Sequence, residues 1–351
     1  MRRCKRCIMP ETVPGITFNK EGVCSFCLNY QKKTYFDKKE LDRIIALSKN
    51  KNNKYDCIVP LSGGRDSSYV LYMAKRVYNC KVLAVSYDNE FRTDQPLVNM
   101  KRACEILNVD FVDVRSKRAI AQKRVKYNIR SAVAFGKFGI CAACTYGIRS
   151  VVYRAAEEYK VPLILWGHSQ QEATQEMERE AFGALRLKRP KILKLLNINF
   201  YKAEYCWLLQ RLEFPVPGNN ILFRTRPFLK NQDTKEIFVF DYIPWDRKKI
   251  KETIMTELGW EKPMGHKTTW HTDCMLHSFM NYCFFKLFGC SKNCFGYCNM
   301  INSGQMDREE ALKQEEEMAA TFTENIRELL EGKIGLSKKL VAKIESFPTK
   351  M

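Results

Sequence analysis

The sequence predicts an α/β fold in which a parallel sheet carries the chemistry, flanked by a cysteine-bearing N-terminal ribbon and a helical C-terminal region. Three observations predict it. Between residues 55 and 166, short apolar runs alternate with stretches of helical periodicity. One run, Tyr55 to Leu61, stops at Ser62-Gly63-Gly64-Arg65-Asp66-Ser67-Ser68, after which Tyr69, Val70, Leu71 and Met73 resume at helical spacing. Two C-x-x-C pairs, Cys4/Cys7 and Cys24/Cys27, precede both. Strands that alternate with helices through short loops require right-handed crossovers and hence parallel pairing. The 351 residues suffice for one large or two modest domains. Composition divides them into a ribbon at 1–35, a sheet domain at 36–245 and a helical region at 246–351.

In chain order, the N-terminal cysteine pairs are separated by sixteen residues that include Pro10, Pro14 and Gly22. Four thiolates so spaced suit a tetrahedral structural zinc with no open position, an iron-sulfur site or a redox pair being the alternatives. A segment this short has no core of its own, so metal binding and folding are coupled there. Gln31 to Lys54 reads as a charged, helix-compatible connector.

The run Cys57-Ile58-Val59-Pro60-Leu61 is then a strand, and Ser62 to Ser68 is the turn that ends it. Two glycines allow the backbone to approach an anion closely. Asp66, Ser67 and Ser68 suit a helix start, whose first N–H groups point at a phosphate. The loop lacks the G-x-x-x-x-G-K-[ST] spacing, and its glycines are adjacent, which excludes a Walker A loop and the G-x-G-x-x-G dinucleotide fingerprint. The bland alternative is a glycine turn in an ordinary α/β domain.

Lys81 to Tyr87 forms the next strand, ending at Asp88-Asn89, followed by a helix over 95–107 and a short strand from Phe111 to Val114. Cys141-Ala142-Ala143-Cys144 lies ahead of a helix that runs to about Tyr159. A C-x-x-C at a helix N-terminus has lowered thiol pKa values and can bind metal or carry sulfur chemistry. Val161 to Trp166 is a further strand, ending in Gly167-His168-Ser169. Ligands of parallel sheets gather at the carboxyl ends of the strands. Ser62, Gly63, Gly64, Asp66, Ser67, Ser68, Asp88, Gly167 and His168 are therefore the candidate nucleotide contacts, with Asn89 beside them. Asp88 reads equally as a turn residue, and His168 as a structural histidine.

From Ala173 to Phe223, basic and aromatic residues mix (Arg186, Arg189, Phe200, Tyr201, Tyr205, Trp207, Arg211), which suits an acceptor-binding insertion or an amphipathic helix. A helix over 248–258 stops at Leu258-Gly259-Trp260 with glycine at its end. Cys274 follows in Thr272-Asp273-Cys274. Cys290, Cys294 and Cys298 recur at helical spacing, so one helix face could carry three thiols, although buried small hydrophobes are the favoured reading there. Charged helices over 307–332 and 338–344 complete a C-terminal cap.

Lys and Arg number 59 against 39 Asp and Glu, a net charge of +20 that attracts polyanions such as tRNA, nucleotides or sugar nucleotides. The basic runs at 115–130 and 186–194 read equally as solvated helix faces. No apolar run approaches a membrane span and no secretory h-region opens the chain, so a cytoplasmic protein is expected. In that compartment fifteen cysteines are metal ligands and buried thiols rather than disulfides.

The string S-G-G-x-D-S after a buried strand resembles the PP-loop of ATP pyrophosphatases, which split ATP between its α and β phosphates and adenylate a substrate oxygen. Together, CKRCIMPETVPGITFNKEGVCSFC, SGGRDSS, CAAC, LGW and HTDC resemble the N-acetyl sugar amidotransferase family of PP-loop proteins, over nearly the whole chain. That resemblance implies an adenine nucleotide α-hydrolase-like domain with a zinc ribbon. It also implies ATP-dependent replacement of an acetamido oxygen by nitrogen, in bacterial surface polysaccharide, lipopolysaccharide or nonulosonic acid biosynthesis. Ser62, Gly63, Gly64, Asp66 and Ser67 would then hold the pyrophosphate end and Mg2+. The substrate would be an acetamido sugar or sugar nucleotide, and ammonia would come from a glutaminase partner. The motifs are shared with tRNA thiolation enzymes, in which a C-x-x-C and a distant cysteine hold an iron-sulfur cluster with one open iron. Cys141, Cys144 and Cys274 match that triad and are expected to converge near the loop, which keeps sulfur transfer as the rival reading and tRNA as a less favoured partner.

Overall fold

The computed structural model describes residues 1–115, 119–135, 142–168, 198, 201, 202, 205, 206, 208, 234–262, 274–319 and 324–346. Five parallel strands make its sheet: β1 (Cys57–Pro60), β2 (Val82–Asp88), β3 (Asp110–Arg115), β4 (Leu163–Trp166) and β5 (Lys235–Phe238), in the order β3-β2-β1-β4-β5. Cys57 stands opposite Val82, Ile58 opposite Ile164, and Trp166 opposite Phe238. The inner strands β1, β2 and β4 are buried along their whole length. Continuous apolar runs give that result when helices cover both faces of a parallel sheet.

Side chains alternate between those faces with the period of two that a strand imposes. Val59, Val82, Ala84, Leu163 and Leu165 enter a large core shared with the N-terminal cysteines and the C-terminal helices. Ile58, Leu83, Val85, Ile164 and Trp166 enter a smaller core under the helix Ala142–Glu158, packing with Val151, Val152 and Ala156. From β1 the sheet grows through β2 to β3, then returns to the opposite side with β4 and β5. A crevice opens at such a reversal, beyond the carboxyl ends of the two central strands. Ser62 follows β1 there, and Gly167 follows β4.

Three elements differ from expectation. The helix after the glycine loop is α-helical over Arg65–Tyr72 and widens to a π turn over Met73–Val77. β5 is an unanticipated fifth strand, and as an edge strand it is only partly buried. Cys290, Cys294 and Cys298 do not share a helix. Gly289 adopts a left-handed conformation (φ 69°) that ends the helix Met275–Phe288, so Cys290 lies in the turn before the helix Asn293–Asn302. By contrast, Gly259 (φ 58°) ends the helix Arg247–Leu258 where the sequence places it.

The N-terminal knuckles pack on the C-terminal helices. Arg308 Nε donates to the carbonyl of Cys7 (2.9 Å), Asn302 Nδ2 meets Cys27 Sγ (3.3 Å), and Arg3 donates to the carbonyl of Gly289 (3.3 Å). No disulfide joins the described cysteines. Among the described residues, no helix is long and apolar enough to cross a membrane.

Candidate active site

The loop after β1 is shaped by close contacts that exclude side chains. Gly63 has φ +76°, and a Cβ there would lie 2.2 Å from the carbonyl oxygen of Pro96. Its own carbonyl accepts the indole N–H of Trp260 (2.9 Å). The Ser62 amide donates to Ser67 Oγ (3.2 Å) and the Gly64 amide to Ser62 Oγ (3.2 Å), while Ser68 Oγ donates to the Gly64 carbonyl (2.8 Å). The amides of Arg65, Asp66 and Ser67 precede the first bond of the helix, Ser68 N to Gly64 O (3.2 Å). Positive helix-end charge thus faces the crevice, the arrangement that binds phosphate.

Asp66 supplies the loop's carboxylate. Its Oδ1 accepts the Trp245 indole N–H (2.9 Å) and lies 3.3 Å from Arg65 Nε, and the buried Arg65 guanidinium stacks 5.2 Å over the Trp245 ring. The opposite wall is the strand end of β4. A Cβ on Gly167 would sit 3.0 Å from the Ser67 backbone, so the two loops touch main chain to main chain. His168 reaches solvent and packs edge-on to Trp166 and Phe238 (5.5 and 6.2 Å between centroids). The surrounding protein and the Arg149 charge hold its pKa below the ordinary imidazole value, with Asp66 opposing them. Its ring is therefore neutral at pH 7, able to donate from one nitrogen and accept at the other.

At the end of β2, Asp88 is engaged by the Glu90 amide (2.8 Å), Arg115 (2.7 Å) and Arg92 (3.8 Å). Burial raises its pKa, but the Glu90 amide and the two guanidiniums outweigh it and hold the carboxyl below its usual range. Asn89 follows. Its Oδ1 accepts the Phe91 amide (2.9 Å), which turns Nδ2 toward two sulfurs, Cys144 Sγ and Cys274 Sγ, each 3.5 Å away. The two sulfurs are therefore no further apart than twice that distance. The helix bearing Cys144 comes so near because Gly147 lies against Tyr87, where a Cβ would stand 2.3 Å from the ring. Cys274 is held by a bridge to Arg92 and by Met275 N donating to the Phe91 carbonyl (2.9 Å). Cys141 lies outside the described residues, as do Ser169 and, save for Tyr201 and Tyr205, the residues named for the acceptor-binding insertion.

Away from the crevice, Cys4, Cys7, Cys24 and Cys27 bring four buried sulfurs within 4.8 Å of one another. Cys4 to Cys27 is 3.9 Å and Cys7 to Cys24 is 3.7 Å. A tetrahedron of sulfurs about 2.3 Å from one ion has an edge of roughly 3.8 Å, so the donor set fits a single metal. The Cys7 and Cys24 amides point at Cys4 Sγ (3.4 and 3.3 Å) and the Met9 amide at Cys7 Sγ (3.4 Å), donors of the kind that steady thiolates. Hydrogen bonds from Cys24 and Cys7 hold the Cys27 thiol well below its ordinary pKa.

Sequence reasoning named the loop, the strand ends, the four knuckle cysteines and the triad Cys141, Cys144 and Cys274; the structure places Ser62 and Gly167 at one crevice, gathers the four knuckle sulfurs and brings Cys144 and Cys274 to Asn89, with Cys141 outside the described residues. It missed Trp245, Trp260 and Arg149, and it did not identify Asn89 as the group between the sulfurs. LGW marked Trp260 only as a helix stop, and nothing local to Trp245 signals the loop it binds.

No family model matches the chain. It is similar to an uncharacterised protein of Methanocaldococcus jannaschii, 25% identical over 206 residues, covering 54% of this chain and 67% of that protein. Among solved structures it is similar to the U34-tRNA thiolase of Methanococcus maripaludis with its [4Fe-4S] cluster (17% identity, TM-score 0.36, 87% of each chain). It is also similar to the ammonia-dependent NAD synthetase of Campylobacter jejuni (16% identity, TM-score 0.30, 51% of this chain and 84% of that one). A third is NMN synthetase from Francisella tularensis (14% identity, TM-score 0.30, 66% of this chain and 100% of that one).

Proposed function

We propose that this protein is an ATP pyrophosphatase that adenylates an acetamido oxygen of an N-acetyl sugar and replaces it with nitrogen from ammonia. The observation that carries the ATP step is the Ser62–Ser68 loop, a glycine turn opening a helix at the sheet's reversal with Asp66 fixed beside it by Trp245 and Arg65. The loop amides and the hydroxyls of Ser62 and Ser67 would take the β and γ phosphates, and Asp66 has the hard oxygen donor that Mg2+ requires. Bound Mg2+ supplies neutralisation of the pyrophosphate charge.

An amide oxygen is a poor leaving group until it is phosphorylated. The acetamido oxygen attacks the α phosphorus, the bond to the bridging oxygen breaks, and pyrophosphate leaves. Ammonia then adds to the activated carbon, AMP departs with the former amide oxygen, and loss of a proton leaves the acetamidino sugar. The neutral His168 ring at the β4 end suits accepting a proton from the attacking ammonia. A glutaminase partner would supply that ammonia, and a cytoplasmic setting in surface glycan biosynthesis belongs to the same reading. Zinc at Cys4, Cys7, Cys24 and Cys27 would be structural, since four thiolates leave no open position.

One observation favours a second reading. Cys144 and Cys274 meet at Asn89 on the same sheet edge as the loop, and with Cys141 they would suit a three-cysteine iron-sulfur cluster that delivers sulfur to an adenylated tRNA or small molecule. Anaerobically purified protein, given ATP, Mg2+, ammonia and acetamido sugars, distinguishes the two. Amidation predicts AMP release with an ammonia-dependent mass change of about one unit in the sugar, from replacing O by NH. Release of AMP that needs tRNA and not ammonia overturns amidation in favour of sulfur transfer, and absence of any ATP cleavage overturns both.

A further inference from the structure

The C-terminal helices contain a second constellation of soft and hard ligands that the reaction above does not use. Cys290, in the turn after Gly289, Cys294, in the first turn of the helix Asn293–Asn302, and Glu315, in the helix Arg308–Ala319, place two sulfurs and a carboxylate oxygen within 4.8 Å of one another. The two cysteines are fully buried and Glu315 is 3% exposed. A carboxylate so far from water demands compensation. Ser291 provides part of it, its amide donating to Oε1 and its hydroxyl to Oε2 (2.6 Å). Each carboxylate oxygen retains a further lone pair.

We propose that Cys290, Cys294 and Glu315 bind a second zinc ion, distinct from the one at Cys4, Cys7, Cys24 and Cys27. Two thiolates and a carboxylate are a donor set that zinc favours over magnesium or calcium. The charge closes as well. Two thiolates and Glu315 are offset by the divalent ion and by Arg3, whose guanidinium lies beside Cys294 and donates to the Ile8 carbonyl (2.8 Å). The orientation of the ligands is already set. Ser291 Oγ accepts the Cys294 amide (3.1 Å), so one serine positions both the carboxylate and the start of the helix that carries a thiol. Such outer partners hold metal ligands in place before the ion arrives. Cys298, one turn beyond Cys294, lies next to both Cys294 and Cys7. The two centres are thereby adjacent, and the second would fasten the C-terminal helices to the N-terminal knuckles.

The test is metal content of the full chain produced with zinc in the medium, washed with a weak chelator and read by elemental analysis. The expected result is about two equivalents of zinc per chain, falling to about one in Glu315→Gln and in Cys290→Ser/Cys294→Ser. Glu315→Gln preserves volume and can still accept from Ser291, so it reports on the site even if the cysteine variant fails to fold. Cobalt substitution gives an independent reading, since sulfur-to-cobalt charge-transfer absorption scales with the thiolates bound and should drop by about a third when two of six are removed. A parent chain that carries about one equivalent, unchanged in Glu315→Gln, overturns the proposal.

Discussion

Gly63 shows how far a single position is constrained. Its positive φ and the 2.2 Å approach of a would-be Cβ to the Pro96 carbonyl both act against any side chain, and the obstacle is backbone. Gly63→Ala should destabilise the protein by at least about 2 kcal/mol, through strain and local displacement, as read by the denaturant midpoint. Trp260→Phe removes the indole donor to the same carbonyl (2.9 Å) and leaves part of the buried ring's volume empty, and should cost about 2 kcal/mol while weakening ATP binding. Asp66→Asn keeps the Trp245 contact at its amide oxygen but loses the negative charge. Pyrophosphate release should fall by about 10²-fold, with some loss of stability because the buried Arg65 guanidinium loses its carboxylate, and equal rates for the two proteins would remove Asp66 from the site. At Asp88 the expected effect is on pH. Its carboxyl titrates below its unfolded value, so its contribution to stability is complete above about pH 4 and is lost as pH falls through the folded value. Asp88→Asn should therefore be less stable than the parent at neutral pH, with the gap closing on acidification.

At the scale of elements, β1, β2 and β4 were legible because a strand buried on both faces is apolar at every position, a signal that needs no partner. The edge strand β5 reads Lys-Glu-Ile-Phe, and its identity comes from pairing with β4, which the local sequence does not encode. The same reason hid the two tryptophans. Trp245 and Trp260 meet the loop across separations of 179 and 197 residues, and no periodicity reports so remote a contact. The end of β2 combines both cases. Asp88 was visible as a strand-closing acid, whereas the role of Asn89 depends on a helix and a C-terminal segment converging on it. Asn89→Leu should separate Cys144 from Cys274 without emptying the core. Under the sulfur-transfer reading it lowers iron content and tRNA-dependent turnover together, and under the amidation reading sugar-dependent AMP release survives. Iron analysis alongside the two assays separates these outcomes.

Across the whole molecule, the two faces of the sheet make different demands on the N-terminal metal centre. The large core runs without a break from Cys4, Cys7, Cys24 and Cys27 through Phe288, Phe295, Tyr297 and Met300 to the inward face of β1, whereas the smaller core is built by β1, β2 and β4 against Val151, Val152 and Ala156 and contains none of the knuckle residues. Division at residue 35 separates two segments that share this core, since Arg308 binds the carbonyls of Cys4 and Cys7 and Asn302 meets Cys27. Four buried thiols left without an ion must each be protonated or pushed apart, and either change disturbs those contacts. In the Cys4→Ser/Cys24→Ser variant, amide exchange should therefore rise first in the helix Asn293–Asn302 and next in Arg308–Ala319. Protection in the helix Ala142–Glu158, which packs on the opposite face, should be the last to fall. Hydrogen exchange followed by mass spectrometry reads all three segments in one experiment. Uniform loss across both faces would mean that the sheet transmits the defect and that the ribbon is integral to the whole domain; unchanged exchange in the C-terminal helices would mean that their packing on the knuckles contributes nothing to their stability.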